Sequence, residues 1–281
     1  MSSFDFTGNH RLHKFTPPSI TALEEFTRPM RFYFRPQYFG MDEIDAEKPA
    51  LYVTNHTIYG LTDGLLFGIE LFKRRNIFLR PLVDNMHFEI PVWKDWIPKM
   101  GFVRASRENC TALMQAGENI LVFPGGGRET CKRKGEAYKL QWRDHLGFCR
   151  MAIQHGYDII PVAQVGGDDA YRIVLDADDI MKSWLGRFLK NTTLVKKYLH
   201  GGDYIPPVTT GLFGIMGIPK PVKYYISFGG RIDTSRFLQK FDDDDNLWQL
   251  RDEVELAMDK QFIALLEYRK NDKQGLLSLL G

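Results

Sequence analysis

The sequence predicts an α/β fold with a mostly parallel sheet that is flanked by helices on both faces. Apolar runs rich in β-forming residues predict strands at Ala50 to Thr54, Asn76 to Val83, Asn119 to Phe123, Asp158 to Val165 and Val222 to Phe228. Between them, helical patterns cover Asp63 to Arg75, Ser106 to Gly117 and Lys139 to His155. Strands that alternate with helices are typical of parallel sheets with both faces covered.

The two ends of the chain predict helices outside this alternation. Ser19 to Tyr33 has a helical pattern in which arginines lie close to aromatic residues, so it either packs on the core or lies at a lipid surface. Leu247 to Tyr268 repeats apolar residues at helical spacing and should bury one face. We therefore expect an N-terminal helical segment over 1–45, a central region over 46–235 and a C-terminal helix over 236–281, in one domain overall.

Composition narrows the functional classes. The 281 residues carry 37 Lys and Arg against 35 Asp and Glu, and a net charge of +2 gives no nucleic-acid signature. Three cysteines without paired spacing support neither a disulfide framework nor a zinc site. The N-terminus lacks the apolar run of a secretory signal, and no run reaches the ~18 apolar residues of a spanning helix. These features predict a cytoplasmic protein, with peripheral membrane contact open and the oligomeric state unknown.

A histidine follows the first predicted strand of the central region. Asn55-His56 comes directly after Ala50 to Thr54, and ligands bind at the carboxyl ends of strands in open α/β sheets. A histidine titrates near neutral pH, so it can take a proton from an attacking hydroxyl. Asp63 can orient the ring if Gly60 lets the turn fold back. The sequence therefore predicts His56 as a general base with Asp63 as its partner.

A glycine-rich turn follows the strand Asn119 to Phe123 and should open at the same sheet edge. Its three glycines leave space for a ligand, and successive backbone N–H groups form an anion-binding nest. Arg128 adds a planar fork of donors. Glu129 either holds Arg128 in place, which we favour, or faces solvent. A base beside an oxyanion cradle suits acyl transfer.

Other polar and apolar segments leave two interpretations open. Arg104 either reaches an anionic headgroup or carrier phosphate, or forms a surface salt bridge. Ser106 is a helix N-cap, because the chain has no Gly-x-Ser-x-Gly elbow. The run Lys132-Arg133-Lys134 either attracts phosphates or a membrane, or is a solvated face. The apolar run Leu212 to Ile218 either contacts lipid or belongs to the core.

The motifs together resemble the glycerolipid acyltransferase superfamily. Its blocks occur in order as Asn55-His56 with Asp63, Gly101-Phe102-Val103-Arg104, Phe123-Pro124-Gly125-Gly126 and Ile160-Pro161-Val162. The run that begins PGGGRETCKRKGEAYKLQW is similar to the branch that contains diacylglycerol acyltransferases and the acyltransferase region of phytyl ester synthases. The resemblance covers residues 45–235. One departure is the spacing, because six residues separate His56 and Asp63 where the superfamily usually has four.

The resemblance implies a glycerol-phosphate-acyltransferase-like fold, with residues 46–235 as the acyltransferase domain. It implies transfer of a fatty acyl group from acyl-CoA or acyl-carrier protein to a lipid hydroxyl, with no cofactor and no metal. His56 and Asp63 would be catalytic. The implied substrate-binding residues are Asn55, Arg104, Phe123, Pro124, Gly125, Gly126, Gly127, Arg128 and Glu129.

The resemblance also bears on the acceptor. Gly125-Gly126 stands where enzymes for phosphorylated acceptors have Glu-Gly, which favours a neutral acceptor such as diacylglycerol or a long-chain alcohol. The expected partners are an acyl thioester, a lipid acceptor and a membrane surface. A lysophospholipid or glycerol phosphate acceptor, a lipid or thioester hydrolase, and a non-catalytic lipid-binding protein remain alternatives.

Overall fold

The structure is a computed structural model that describes residues 15–272, without residues 61, 92, 190–191, 193–194, 196–198, 216 and 239. The predictions made for residues 1–14, including the missing secretory signal, and for residues 273–281 lie outside the described residues.

The described strands form two sheets. The strands are β1 (Gln37–Phe39), β2 (Ala50–Thr54), β3 (Leu79–Val83), β4 (Val103–Arg104), β5 (Asn119–Val122), β6 (Asp158–Val165), β7 (Arg172–Leu175), β8 (Val208–Gly211), β9 (Gly214–Ile215) and β10 (Tyr225–Phe228). A seven-stranded sheet has the order β1-β10-β6-β2-β5-β3-β4, and a three-stranded sheet has the order β7-β8-β9. From β4 to β6 every neighbouring pair is parallel, whereas β10 is antiparallel to β6.

One α-helix precedes these strands, and the other described α-helices lie between and after them. They are α1 (Ile20–Phe34), α2 (Leu65–Arg75), α3 (Trp93–Trp96), α4 (Arg107–Gln115), α5 (Gly126–Thr130), α6 (Gly147–His155), α7 (Ala177–Lys182), α8 (Trp184–Leu189) and α9 (Asp244–Asn271). The predicted cap is present at α4, where the Ser106 hydroxyl accepts from the Asn109 backbone N–H at 3.1 Å. Among the described helices, none has the length and apolar character to cross a membrane.

Both faces of the large sheet are covered by helices, as predicted. Strand β2 is buried along its whole length, and its successive side chains point to opposite faces. Leu51 and Val53 pack with residues of α4, α6 and α9 in one apolar cluster. Ala50 and Tyr52 pack with residues of α1 and α2 in the other. The strand that leads to His56 therefore lies at the centre of the molecule.

Several predicted boundaries were wrong. The helix predicted from Lys139 begins only at Gly147, because Arg143 has a φ of 48°, which a right-handed helix does not permit. The strand predicted from Asn76 begins at Leu79, because Asn76 is the left-handed C-cap of α2. The strand predicted from Val222 begins at Tyr225, and it runs antiparallel to β6 but parallel to β1. The sequence analysis did not predict β1, β4 or the three-stranded sheet.

Helix α9 offers a matched test of this packing. Leu250 is completely buried against the sheet, whereas Leu256 on the same helix is 54% exposed. We expect Leu250→Ala to lower the free energy of unfolding by about 2–5 kcal/mol through the lost burial and the cavity. Leu256→Ala should change it by no more than about 0.5 kcal/mol. Chemical denaturation measures both values, and equal effects would contradict the packing of α9.

Candidate active site

The His56 motif and the glycine-rich turn meet at the carboxyl ends of the parallel strands. Strands β2 and β5 are parallel neighbours, with Val53 opposite Val122, so the residues that follow them emerge side by side. The Asn55 side chain continues the pairing toward β6, because its amide N–H donates to the Gln164 carbonyl at 3.1 Å and its oxygen accepts from the Gln164 N–H at 2.9 Å. Asn55 is therefore engaged by the backbone of β6 and fixes the position where His56 begins.

The turn after His56 brings Asp63 back to the ring despite the long spacing. The Asp63 carboxylate lies 2.8 Å from His56 Nδ1. Tyr59 and Gly60 have consecutive left-handed φ values of 65° and 63°, which reverse the chain. A Cβ atom at Gly60 would lie only 3.3 Å from His56 Nδ1, so the close approach favours glycine. The described residues between His56 and Asp63 therefore turn the chain back toward the ring.

The surroundings of the pair fix the ring. The Asp63 carboxylate also accepts from the backbone N–H and the hydroxyl of Thr57, each at 2.7 Å. A carboxylate at Nδ1 favours the tautomer with the proton on Nδ1, which leaves Nε2 as the acceptor. The Phe123 ring stacks on the imidazole with 4.0 Å between centroids and 9° between planes. The Asp63 side chain is buried, while the His56 side chain is 18% exposed and accessible from solvent.

The glycine turn packs against the same pair. A Cβ atom at Gly125 would lie 2.5 Å from the Glu129 carboxyl oxygen Oε2, so only glycine fits there. Gly126 has a left-handed φ of 51°, and a Cβ atom at Gly127 would lie 3.0 Å from the Tyr204 ring. The backbone N–H groups of Gly127 and Arg128 donate to no backbone carbonyl in the described part of the chain. Both N–H groups belong to the first turn of α5, where a helix leaves its N–H groups without an intrahelical acceptor.

Glu129 has neither of its two predicted positions. It is completely buried, and it accepts from the His56 backbone N–H at 3.0 Å and from the Gln141 backbone N–H at 3.3 Å. Burial raises its pKa, against the opposing effects of Lys132 and of the His56 N–H. The prediction that Glu129 holds Arg128 was wrong. The carboxyl instead ties the glycine turn to the backbone of His56.

The predicted anion-binding side chain of Arg128 points into the protein. Arg128 is buried, its guanidinium is paired with Glu136, and its Nε lies 4.0 Å from Asp203. Its charge is therefore balanced within the protein. Pro124, the remaining residue of the turn, accepts from His145 Nδ1 through its carbonyl at 2.7 Å.

The basic run after the turn is also paired internally. Lys132 is buried with its ammonium 3.7 Å from the Asp168 carboxylate, Arg133 lies 3.1 Å from Asp203, and Lys134 lies 2.6 Å from Asp179. Neither predicted interpretation describes Lys132, which is neither a solvated charge nor an exposed phosphate attractor.

Arg104 is available at the same edge of the sheet. It ends β4, its guanidinium donates to the Asn85 side chain at 3.2 Å, and it lies over the Phe88 ring at 5.0 Å. Within the described residues it has no carboxylate partner, so the predicted surface salt bridge is not found there. An anionic group of a ligand can therefore reach this cation.

Asp168 was missed by the sequence analysis. It follows β6 and is buried, and its carboxylate accepts from the backbone N–H groups of Ile58 and Tyr138, each at 3.1 Å. Burial raises the pKa of Asp168 to about 6, against the opposing charge of Lys132. Gly166-Gly167-Asp168 directly after a buried strand was the available signal, because this strand ends at the same edge as β2.

An apolar cavity opens beside the pair. Asp63 and Phe123 are among its lining residues, and the other walls come from α1, α2, β3 and the segment before β4. The apolar side chains of its walls are Leu23, Leu65, Ile69, Phe72, Phe78, Leu79, Pro81, Met100, Phe102 and Leu121.

Comparisons with known proteins agree with this geometry. A family model described as Acyltransferase matches residues 35–165, which contain His56, Asp63, Arg104 and the glycine turn. The chain is 29% identical over 245 residues to "Phytyl ester synthase 1, chloroplastic" of Arabidopsis thaliana, covering 83% of this chain and 34% of that protein. It is 31% identical over 237 residues to "Phytyl ester synthase 2, chloroplastic" of the same plant, covering 78% and 33%.

The family match and these relatives support the predicted membership of the glycerolipid acyltransferase superfamily. It spans about a third of the length of the two phytyl ester synthases. The crystal structure of the 1-acyl-sn-glycerophosphate (LPA) acyltransferase PlsC from Thermotoga maritima superposes with a TM-score of 0.50 at 14% identity, covering 86% of this chain and 79% of PlsC. This superposition confirms the predicted fold class.

Gly125 tests how the glycine turn and Glu129 fit together. Gly125→Ala places a methyl group against the buried Glu129 carboxyl, so we expect the free energy of unfolding to fall by about 1–3 kcal/mol. Gly147→Ala is the control, because a Cβ atom there meets nothing within 4 Å. It should leave stability unchanged or raise it by up to about 1 kcal/mol. Equal denaturation curves for Gly125→Ala and the wild type would refute the contact.

Proposed function

We propose that this protein transfers a fatty acyl group from a thioester, acyl-CoA or acyl-carrier protein, to the hydroxyl of a neutral lipid. One observation carries the proposal: the buried Asp63 carboxylate lies 2.8 Å from Nδ1 of the solvent-accessible His56, and Asp63 also lines an apolar cavity. The apolar walls suit contact with part of an acyl chain, and the ring beside them suits deprotonation of an alcohol.

The reaction requires a base, stabilisation of the imidazolium and stabilisation of the oxyanion. His56 Nε2 accepts the proton of the acceptor hydroxyl while the hydroxyl oxygen attacks the thioester carbonyl. Asp63 stabilises the imidazolium that forms, and the N–H groups of Gly127 and Arg128 donate to the developing oxyanion. When the tetrahedral intermediate collapses, the C–S bond breaks, and the thiolate takes the proton from His56. The products are an ester and a free thiol.

A neutral acceptor fits the charges at the site. The guanidinium of Arg128, which the sequence offers as a phosphate binder, is buried and paired with Glu136. Arg104 is available to the phosphates of the thioester carrier. The name of the phytyl ester synthases indicates that they make esters of a long-chain alcohol, which agrees with an uncharged acceptor. Because such acceptors reside in membranes, we also propose peripheral contact with a membrane.

The experiment offers purified protein labelled acyl-CoA and a panel of acceptors: diacylglycerol, a long-chain alcohol, a lysophospholipid and glycerol phosphate. Mass spectrometry identifies the products. We expect esters of the neutral acceptors and an equal amount of free thiol. Release of free fatty acid that does not depend on the acceptor would indicate a hydrolase, and lipid binding without turnover would indicate a binding protein. Either result would refute the proposal.

His56→Ala tests the base. We expect this variant to lose at least ~3 kcal/mol of transition-state stabilisation, roughly a hundredfold in rate or more. His155→Ala is the control, because His155 ends α6 and its ring lies against Thr111 outside the site. Its turnover should match that of the wild type. Wild-type turnover in a folded His56→Ala protein would rule out His56 as the base.

A further inference from the structure

The tip of the β8–β9 hairpin exposes apolar side chains to solvent. Phe213 is 93% exposed and Ile215 is 67% exposed, and Ile218 after the turn is also exposed. The sequence allowed this segment to be either core or lipid contact, and the structure excludes the core for these three side chains.

The backbone of the tip holds these side chains outward. Phe213 has a left-handed φ of 66°, a conformation that glycine or asparagine adopts far more readily than phenylalanine. Cβ atoms at Gly211 and Gly217 would lie 2.1 Å from the Ile218 carbonyl oxygen and 1.9 Å from the Leu212 carbonyl oxygen, so the chain packs tightly beneath the tip. An exposed phenylalanine at a strained backbone position is unfavourable in water, which indicates that this side chain contacts a binding partner.

Cationic side chains lie at the base of the hairpin. Arg172 is exposed on β7 directly opposite Thr210 of β8. Lys220 follows the hairpin, and its backbone N–H donates to the Ala170 carbonyl at 2.9 Å. In the part of the chain that the structure describes, neither side chain forms an ion pair. An apolar tip with unpaired cations behind it is complementary to a membrane that carries anionic headgroups.

The hairpin is also bonded to the candidate active site. The Tyr59 hydroxyl donates to the Pro207 carbonyl at 2.6 Å and lies 2.9 Å from the Thr209 hydroxyl. Tyr59 directly precedes Gly60 in the turn that holds Asp63. On the other side, the Tyr33 hydroxyl of α1 donates to the Pro219 carbonyl. A surface that binds the tip is therefore connected to the turn that carries His56.

We propose that the hairpin tip, with Phe213 and Ile215, inserts into a lipid bilayer while Arg172 and Lys220 face anionic headgroups. This inference rests on the proposed function for the identity of the lipid acceptor, whereas binding to the bilayer requires no turnover. It names the surface through which the site would receive an acceptor dissolved in the membrane.

The test measures flotation of the purified protein with phosphatidylcholine vesicles that contain or lack phosphatidylglycerol, without substrates. We expect wild-type protein to bind the anionic vesicles. The double variant Phe213→Asn with Ile215→Ser should bind them at least about tenfold more weakly. Asparagine tolerates the left-handed backbone, so the variant should fold. Ile263→Ser is the matched control, because Ile263 on α9 is 68% exposed, almost the same as Ile215. It should bind like the wild type.

Activity assays separate this inference from the proposed function. The double variant should keep wild-type turnover on a water-soluble alcohol and lose it on an acceptor embedded in vesicles. His56→Ala should bind vesicles normally, whatever its turnover. Failure of the wild type to float, or equal flotation of the double variant, would overturn the inference. A shift from dimer to monomer in the double variant during sedimentation, without any change in flotation, would assign the tip to a protein contact and also overturn it.

Discussion

The buried carboxyl of Glu129 is the contact on which the geometry of the site depends. It accepts from the backbone N–H of His56, and its oxygen fills the space that a side chain at Gly125 would need. One group therefore joins the ends of two neighbouring strands. By the resemblance described above, Gly125-Gly126 stands where enzymes for phosphorylated acceptors have Glu-Gly. In this chain the carboxyl of Glu129, one helical turn further along, lies beside the backbone of Gly125.

Other buried acids complete the support of the turn around His56. Asp63 holds the ring and both polar groups of Thr57, and Asp168 accepts from the backbone N–H of Ile58. Each carboxylate lies out of solvent, where a hydrogen bond is stronger and an unmatched charge costs more. Lys132, itself buried near Asp168, balances part of this charge. The partly exposed His56 ring is thus held by groups that solvent does not reach.

The sequence predicts the central sheet because its strands are short apolar runs, and it predicts the two motifs because both follow such runs. It does not predict the partners of Glu129 or Lys132, since their contacts join residues far apart in the chain. The pairing of His56 with Asp63 follows from consecutive left-handed residues at Tyr59 and Gly60, which spacing alone does not reveal. The start of α6 and the small second sheet likewise depend on local backbone conformations that apolar periodicity does not record.

The proposed role of His56, oriented by Asp63, is to activate the acceptor hydroxyl for attack on a thioester. The most direct measurement follows free thiol and ester together in a single turnover of wild type and Asp63→Asn, which keeps the shape of the side chain but loses its charge. We expect thiol and ester to appear in equal amounts. The rate in Asp63→Asn should be at least about a hundredfold lower than in the wild type, with unchanged binding of acyl-CoA. Equal rates in the two proteins, or thiol release without ester, would contradict the account.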